Sequence, residues 1–167
     1  WPSRGFYSGL LDLGGFIKPR GYFRQALWSD KPMMYIGTYP LQGANWDNNT
    51  SVLEVNEKRR NEEPSIDAWP IWNYNKGQVI RVVCYTNAAQ AYLELNGVKV
   101  EKTQHDKSKY GVFYWDIPFN AGHLVAVGLD TNGKEISRNE IRTSKRPHSI
   151  QVKGGNDISF ASPDAVE

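Results

Sequence analysis

Three aromatic residues close together in the chain have the right chemistry to bind a sugar. Trp69, Trp72 and Tyr74 lie in the stretch WPIWNY, with Asn73 and Asn75 beside them. Aromatic rings can stack on the C–H faces of a pyranose, and amide side chains can bind its hydroxyl groups. In an extended strand Trp72 and Tyr74 share one face about 7 Å apart, since each residue advances the chain by about 3.3 Å. The stretch therefore predicts either a carbohydrate-binding platform or a sealed domain boundary.

The other reactive residues indicate no metal site, no cofactor and no covalent catalysis. The 3 histidines are far apart in the chain, and the single cysteine excludes both an internal disulfide and a cysteine-based zinc site. That residue, Cys84, lies among apolar residues, which predicts a buried and unreactive thiol. Asp130 and Asn132 supply too few oxygens for a calcium loop. The glycine pairs lead into no phosphate-binding loop.

The composition argues against nucleic-acid and membrane partners. The chain has 167 residues, with 20 Lys and Arg against 18 Asp and Glu, and its basic residues are scattered apart from KRR at 58–60 and KRP at 145–147. No apolar run approaches the roughly 20 residues that a membrane span needs. The 6 Trp and 9 Tyr are many for this length. Aromatic residues in such numbers are typical of a β-sandwich core or of a sugar-binding surface.

The segment 69–144 shows the two-residue period of β-strands. The stretch QVIRVVCYT is apolar on both faces, which indicates a central strand, and GVFYWDIPF places Phe113, Trp115 and Ile117 on one core face. The pairs Asn96-Gly97 and Asn132-Gly133 are typical of type I′ hairpin turns. Short strands joined by such turns, with no helix between them, predict a mainly β fold. We expect an immunoglobulin- or fibronectin-like antiparallel β-sandwich.

A two-residue turn fixes the register of each predicted hairpin. The first turn brings four apolar residues to the inward face as cross-strand pairs, Leu95 with Val98 and Leu93 with Val100. Tyr92, Glu94 and Lys99 then face water. The second turn pairs Leu129 with Ile136.

Before the sandwich, the sequence predicts one helix near residues 19–29. Pro19 suits its first turn, Phe23, Ala26 and Leu27 follow helical spacing, and Pro32 ends it. We expect the apolar side chains of this helix to dock on the sandwich or on another chain; they are Phe23, Leu27 and Trp28. Residues 41–68 are polar and charged, which indicates a long loop with one short strand at 51–55.

Taken together, these motifs resemble the C-terminal part of bacterial β-galactosidase-like enzymes of glycoside hydrolase family 2. The stretch SGLLDLGGFIKPRGYFRQALWSDKP is similar to the end of that family's catalytic (β/α)8 barrel. WNYNKGQVIRVVCYTNAAQAYLELNGVKV and YWDIPFNAGHLVAVGLDTNGKEI resemble the immunoglobulin-like domain that follows, and RTSKRPHSIQVKGGNDISF resembles the junction to a further domain.

The resemblance implies a division into four segments. Residues 1–40 are the terminal loop and helix of the barrel, and 41–68 are an insertion or linker that the family usually lacks. Residues 69–144 are the immunoglobulin-like sandwich, and 145–167 are a junction and the start of another β domain. We therefore expect the chain to begin inside the enzyme, and its far end to be cut as well.

The resemblance also implies a function in carbohydrate degradation. The parent is expected to be a retaining glycosidase, with the sandwich as a structural accessory domain beside the barrel. The two catalytic glutamates of the family lie upstream of these residues, so this chain alone is expected to be inactive, with no catalytic residue. Its partners are then the remainder of the parent glycosidase, with its barrel and further β domains, and the parent's carbohydrate substrate. A periplasmic or secreted location follows from the same resemblance.

Two sets of residues and two other functions stay open at this point. By resemblance, Trp1, Arg4 and Tyr7 belong to a loop at the barrel's catalytic face and are candidates for lining the parent's sugar site. The dipeptide Asn-Glu, which forms the family's acid/base motif, occurs at Glu62 and Glu140, but in a charged loop and at a strand exit, where we predict no catalysis. The alternatives are a stand-alone carbohydrate-binding module using Trp69, Trp72 and Tyr74, and a fibronectin-like linker or adhesion domain.

Overall fold

The structure, a computed structural model, describes residues 8–41, 63–100 and 111–145. Their elements are α1 (Pro19–Trp28), β1 (Met34–Pro40), β2 (Val79–Thr86), β3 (Gln90–Leu95), β4 (Val98–Lys99), β5 (Phe113–Pro118), β6 (His123–Leu129) and β7 (Glu135–Arg142). The strands form a three-stranded sheet in the order β1-β2-β5 and a four-stranded sheet in the order β4-β3-β6-β7. All neighbouring strands are antiparallel. The predicted mainly β, sandwich-type fold is confirmed.

The main core lies between the two sheets. Alternate residues of β2 and β5 face alternate residues of β3 and β6, so that Trp115 and Cys84 are fully buried as predicted. Burial raises the pKa of the Cys84 thiol far above its usual value. This thiol is therefore protonated and unreactive at neutral pH.

The first hairpin has the predicted turn and register. Asn96 and Gly97 have φ angles of 54° and 79°, as a type I′ turn requires, and Leu95 pairs with Val98. Leu93 is fully buried, and Leu95 and Val100 pack partly against the core. Val98 is 70% exposed rather than inward, because it lies next to the turn on an edge strand of two residues.

The second hairpin differs from the prediction. The Asp130 carboxylate accepts hydrogen bonds from the backbone N–H groups of Asn132 and Lys134, and Gly133, with φ of 82°, donates to the Asp130 carbonyl. The Asp130 side chain thus stabilises a longer turn, with only its last residue at positive φ. Leu129 pairs with Glu135 after a register irregularity, and the predicted pairing with Ile136 is wrong.

The three-stranded sheet is covered on its other side by α1. The helix matches the predicted position, but its inward face is formed by Tyr22, Phe23 and Ala26. Leu27 is half exposed and Trp28 is 72% exposed, so these two do not dock on the sandwich as expected. At about 100° per residue, Trp28 lies almost opposite the inward face, while Leu27 lies at the edge of that face, about 40° beyond Phe23.

Strand β1 was not predicted. Its sequence, MYIGTYP, contains a glycine and a proline and resembles a linker, but Met34 and Ile36 face the core while Tyr35 faces α1. Residues 34–40 thus belong to the three-stranded sheet, outside the predicted sandwich range of 69–144. The rest of the four-segment division stays a prediction. The strand expected at 51–55 lies outside the residues that the structure describes.

A buried ion pair lies on the helix side of the same sheet. Arg81 on β2 and Asp116 on β5 are cross-strand partners, joined by two hydrogen bonds of 2.8 and 2.9 Å. Their side chains are 1% and 6% exposed. The guanidinium carbon of Arg81 lies 4.7 Å from the centre of the Tyr114 ring. Two opposite charges and an aromatic ring therefore interact where water is almost excluded.

Candidate functional site

The aromatic residues predicted to bind sugar do not form a platform. Trp72 is 1% exposed, and its indole N–H donates to the carbonyl of Asn120 at 3.1 Å. Its ring meets Tyr74 edge to face, at 6.2 Å and 77°, and Phe119 in the same manner. A sugar platform needs exposed and nearly coplanar rings. Trp72 instead packs into one end of the sandwich, and the alternative that this stretch seals a domain boundary stays a prediction.

Trp69 is the more exposed of the two tryptophans in this stretch. It is 39% exposed and borders a groove of about 500 Å³, which Ile71, Tyr74 and the end of β1 also line. The polar groups of the groove already have protein partners: the Tyr74 hydroxyl lies 2.7 Å from the Thr38 hydroxyl, and the Thr38 N–H donates to the Trp69 carbonyl. The groove is therefore apolar, with one exposed ring.

Neither Asn-Glu dipeptide provides a catalytic acid in the described part of the chain. Glu62 lies outside the residues that the structure describes, as do Trp1, Arg4 and Tyr7. Glu140 is exposed, and its carboxylate contacts His123 at 2.7 Å and Arg142 at 3.0 Å. The hydrogen bond from His123, and the charge of Arg142, hold the pKa of Glu140 below its usual value. A glycosidase acid needs a raised pKa, so Glu140 has the wrong electrostatics for that task.

Metal binding and membrane insertion have no support in the same ranges. Residues 8–41, 63–100 and 111–145 contain no group of 3 or more His, Cys, Asp or Glu side chains able to hold a metal ion. The Asp130 carboxylate is occupied by its own turn. Among these residues no helix has both the length and the apolar character to cross a membrane.

The most elaborate arrangement of side chains joins α1 to the sandwich, and sequence reasoning missed it. The rings of Tyr22 and Tyr35 stack at 4.5 Å and 17°, and those of Tyr35 and Tyr85 at 5.3 Å and 4°. Phe23 packs edge to face on Tyr85 at 5.7 Å. Two tyrosines come from facing positions on β1 and β2, so the stack could be found only once β1 was recognised.

The tyrosine hydroxyls hold a stretch of backbone, residues 65–68, which we name the 65–68 segment. Tyr85 donates to the Ser65 carbonyl at 2.7 Å and accepts from the Ala68 N–H at 3.2 Å, while Tyr35 donates to the Ala68 carbonyl at 3.0 Å. Burial raises the pKa of both phenols well above the usual range. A Cβ atom at Gly37 would collide with the Ala68 carbonyl oxygen, so only glycine fits there.

An ion pair fastens the helix to this segment. The Arg20 guanidinium, on the first turn of α1, donates two hydrogen bonds to the carboxylate of Asp67. Both side chains are partly buried, and a two-pronged arginine–carboxylate contact fixes orientation as well as distance. The helix, the segment and the three-stranded sheet therefore form one unit.

A short loop before the helix presents apolar side chains to solvent. The Asp12 carboxylate accepts hydrogen bonds from the N–H groups of Gly14 and Phe16, both at 2.9 Å, and Leu11 forms a β-bridge with Ile17. These contacts give the loop a defined shape. Leu13 is 83% exposed and Phe16 is 73% exposed at its tip. We name residues 10–17 the apolar loop.

Comparison with known proteins identifies the family context. A curated β-galactosidase of Bacteroides ovatus, BoGH2A, is 25% identical over 176 aligned residues, which cover 100% of this chain and 17% of that protein. A solved glycosyl hydrolase family 2 member from Bacteroides cellulosilyticus is 27% identical, with a TM-score of 0.63 over 84% of this chain and 17% of its own. These matches fit part of a family 2 glycoside hydrolase. The region 77–137 also matches a family described as "Domain of unknown function (DUF4982)".

Another solved structure supports the fold. A β-glucuronidase of Parabacteroides merdae is 19% identical, with a TM-score of 0.52 over 88% of this chain and 17% of its own. At this identity the likeness shows the fold alone. The chain thus spans about one sixth of the length of the three proteins named here, 17% of each.

Proposed function

We propose that this chain is an accessory β-sandwich of a family 2 glycoside hydrolase, with a structural role beside the catalytic domain. The likeness to the Bacteroides cellulosilyticus family member carries the proposal, because it extends over 84% of this chain but only 17% of that one. The electrostatics of Glu140 agree with a non-catalytic role. The tyrosine stack and the 65–68 segment hold α1 on the sandwich. We name this arrangement the joint, because its contacts are structural rather than reactive.

We further propose that the whole protein hydrolyses β-galactosides. The curated β-galactosidase of Bacteroides ovatus matches the chain over its full length and supports this substrate class. The likeness to the Parabacteroides merdae β-glucuronidase concerns the fold alone. A putative β-glucuronidase of Formosa agariphila, 28% identical over 157 residues that cover 90% of this chain and 12% of that protein, supports β-glucuronides as the alternative substrate class. In the whole enzyme, Trp1, Arg4 and Tyr7 are proposed to lie near the sugar site, while residues 145–167 lead into a further β domain.

Hydrolysis of a chromogenic β-galactoside tests the proposal. The full-length protein is expected to hydrolyse it, and the purified 167-residue chain is expected to leave it intact. A Glu140→Gln variant of the full-length protein should keep its activity, because this carboxylate is only a surface ion-pair partner. Activity of the isolated chain that Glu140→Gln abolishes would overturn the structural role. Inactivity of the full-length protein on galactosides would overturn the substrate class.

Binding of polysaccharides separates this role from that of a carbohydrate-binding module. Trp72 is buried and Trp69 alone offers an exposed ring near the groove, so we expect no retardation of the chain in gels containing soluble galactan. The matched variants are Trp69→Ala, which removes the exposed ring, and Val98→Ala, which changes an exposed residue on the β3–β4 hairpin. Retardation that Trp69→Ala alone abolishes would favour the binding module.

A further inference from the structure

The chain contains two Asn-Gly pairs, and this dipeptide is chemically labile. The pairs are Asn96-Gly97 and Asn132-Gly133, both in exposed hairpin turns. Asparagine before glycine loses its side-chain amide when the next backbone nitrogen attacks the amide carbon, since glycine has no side chain to hinder that attack. The residue after the asparagine has the largest effect on this reaction, so the sequence alone gives both pairs similar reactivity. The fold then decides whether they differ.

The side chain of Asn96 is held by the neighbouring β5–β6 turn. Its amide Nδ2 donates to the Ala121 carbonyl at 3.1 Å, and its Oδ1 accepts from the His123 N–H at 2.8 Å. A Cβ atom at Gly122 would collide with Oδ1, so the amide also lies directly against the backbone of that turn. Before the Gly97 nitrogen can attack, the amide must rotate out of these contacts and both hydrogen bonds must break. The fold therefore protects Asn96.

Asn132 lacks such support. Its side chain is exposed, and it makes no hydrogen bond with the residues that the structure describes. The backbone around it is held locally, because the N–H groups at positions 132, 133 and 134 all donate to Asp130, at 2.8 to 3.1 Å. All of these bonds lie within residues 130–134, so this turn can open while the paired strands on either side stay intact.

We propose that Asn132 is a site of spontaneous deamidation and that the contacts of Asn96 protect it from the same reaction. Once the β6–β7 turn opens, hydroxide removes the Gly133 amide proton, and this nitrogen attacks Cγ of Asn132. A bond forms between that nitrogen and Cγ, and the bond from Cγ to Nδ2 breaks. Nδ2 takes a proton from water and leaves as ammonia, which regenerates the hydroxide. The product is a cyclic succinimide.

Water then opens the succinimide in one of two ways. Cleavage of the bond from Cγ to the Gly133 nitrogen gives aspartate at position 132. Cleavage at the other carbonyl gives isoaspartate, in which the main chain runs through Cγ and is one atom longer. Either product adds a negative charge near the Asp130 carboxylate, so the modified turn should be less stable. The reaction needs only water and is independent of the proposed hydrolase function.

Peptide mapping of the 167-residue chain measures both sites in one sample. Trypsin cleaves after Lys99 and Lys134, so Asn96 and Asn132 fall in two different peptides. Deamidation raises the mass of either peptide by about 1 Da, and fragment ions locate the asparagine that has reacted. During incubation of the folded chain at pH 8, we expect the rate at Asn132 to exceed that at Asn96 by about tenfold or more, since two additional hydrogen bonds must break at Asn96.

Incubation in urea is the matched control, because it removes the structure and keeps the sequence. There both asparagines should react at similar rates, within about threefold of each other. Asp130→Ala removes the carboxylate that holds the β6–β7 turn, so it should speed the reaction at Asn132 and leave Asn96 unchanged. Equal rates at the two asparagines of the folded chain would overturn the proposal, as would a tenfold difference that persists in urea. An unchanged rate at Asn132 in Asp130→Ala would contradict the opening of the turn as the step that exposes the site.

Discussion

Removing one tyrosine hydroxyl at a time should weaken the joint in proportion to the hydrogen bonds lost. Tyr85→Phe leaves the Ser65 carbonyl and the Ala68 N–H without their partner in a region closed to water. Each buried group left unsatisfied costs about 1–3 kcal/mol, so the free energy of unfolding should fall by about 2–4 kcal/mol. Tyr35→Phe loses one bond and should cost about 1–2 kcal/mol.

Tyr22→Phe is the matched control for this series. It keeps the stacked ring, and within the described residues no hydrogen bond is recorded for its hydroxyl, so the change should stay within about 0.5 kcal/mol. Urea unfolding at pH 7, followed by tryptophan fluorescence, measures all three variants. A total stability of about 5–15 kcal/mol makes the expected losses easy to resolve. A Tyr85→Phe variant as stable as Tyr22→Phe would refute the account of the joint.

Three further outcomes follow from the same contacts. Asn96→Gly keeps the positive φ but loses side-chain bonds to the β5–β6 turn, so urea unfolding should show a loss of about 1 kcal/mol that Asn132→Gly does not share. Gly37→Ala should cost about 3 kcal/mol or more through collision with the 65–68 segment, and a thermal midpoint unchanged from wild type would contradict this. Burial raises the pKa of Tyr35 and Tyr85, so above pH 10 the folded state keeps two protons that the unfolded state loses. The free energy of unfolding should therefore fall above pH 10 by about 1.4 kcal/mol per pH unit for each of these two tyrosines. Unfolding in urea at pH 9 to 11 should show this slope reduced in Tyr85→Phe.

The fold was predictable where local chemistry decides the conformation. Asn96-Gly97 fixes its turn because both residues must adopt positive φ, and the alternation around Trp115 identifies the core face. The second turn was misjudged because its Asn-Gly pair is preceded by Asp130, whose side chain favours a longer turn. Such competition between two good turn signals is decided by small energy differences.

The candidate surfaces were harder to predict because they depend on contacts distant in sequence. Trp72 and Tyr74 have the spacing of a sugar platform, and only the position of Phe119 shows that their rings turn inward. The stack of Tyr35 on Tyr85 requires β1, whose glycine is explained by the approach of Ala68 rather than by strand propensity. Neither contact produces a pattern of neighbouring residues that could be recognised in the sequence.

The buried pair of Arg81 and Asp116 has a consequence for how the chain reaches its fold. An ion pair of this kind adds little net stability compared with apolar residues of the same size, since both charges must leave water. The ion pair instead destabilises alternative registers of β2 along β5. If β2 slipped by two residues along β5, Arg81 would face Tyr114 or Pro118 instead, and its charge would be buried without its carboxylate, at a cost of about 3–5 kcal/mol. Every residue of β2 is buried, so hydrophobic burial alone would not distinguish the two alignments. The charge of Arg81 therefore specifies the register in which β2 pairs with β5.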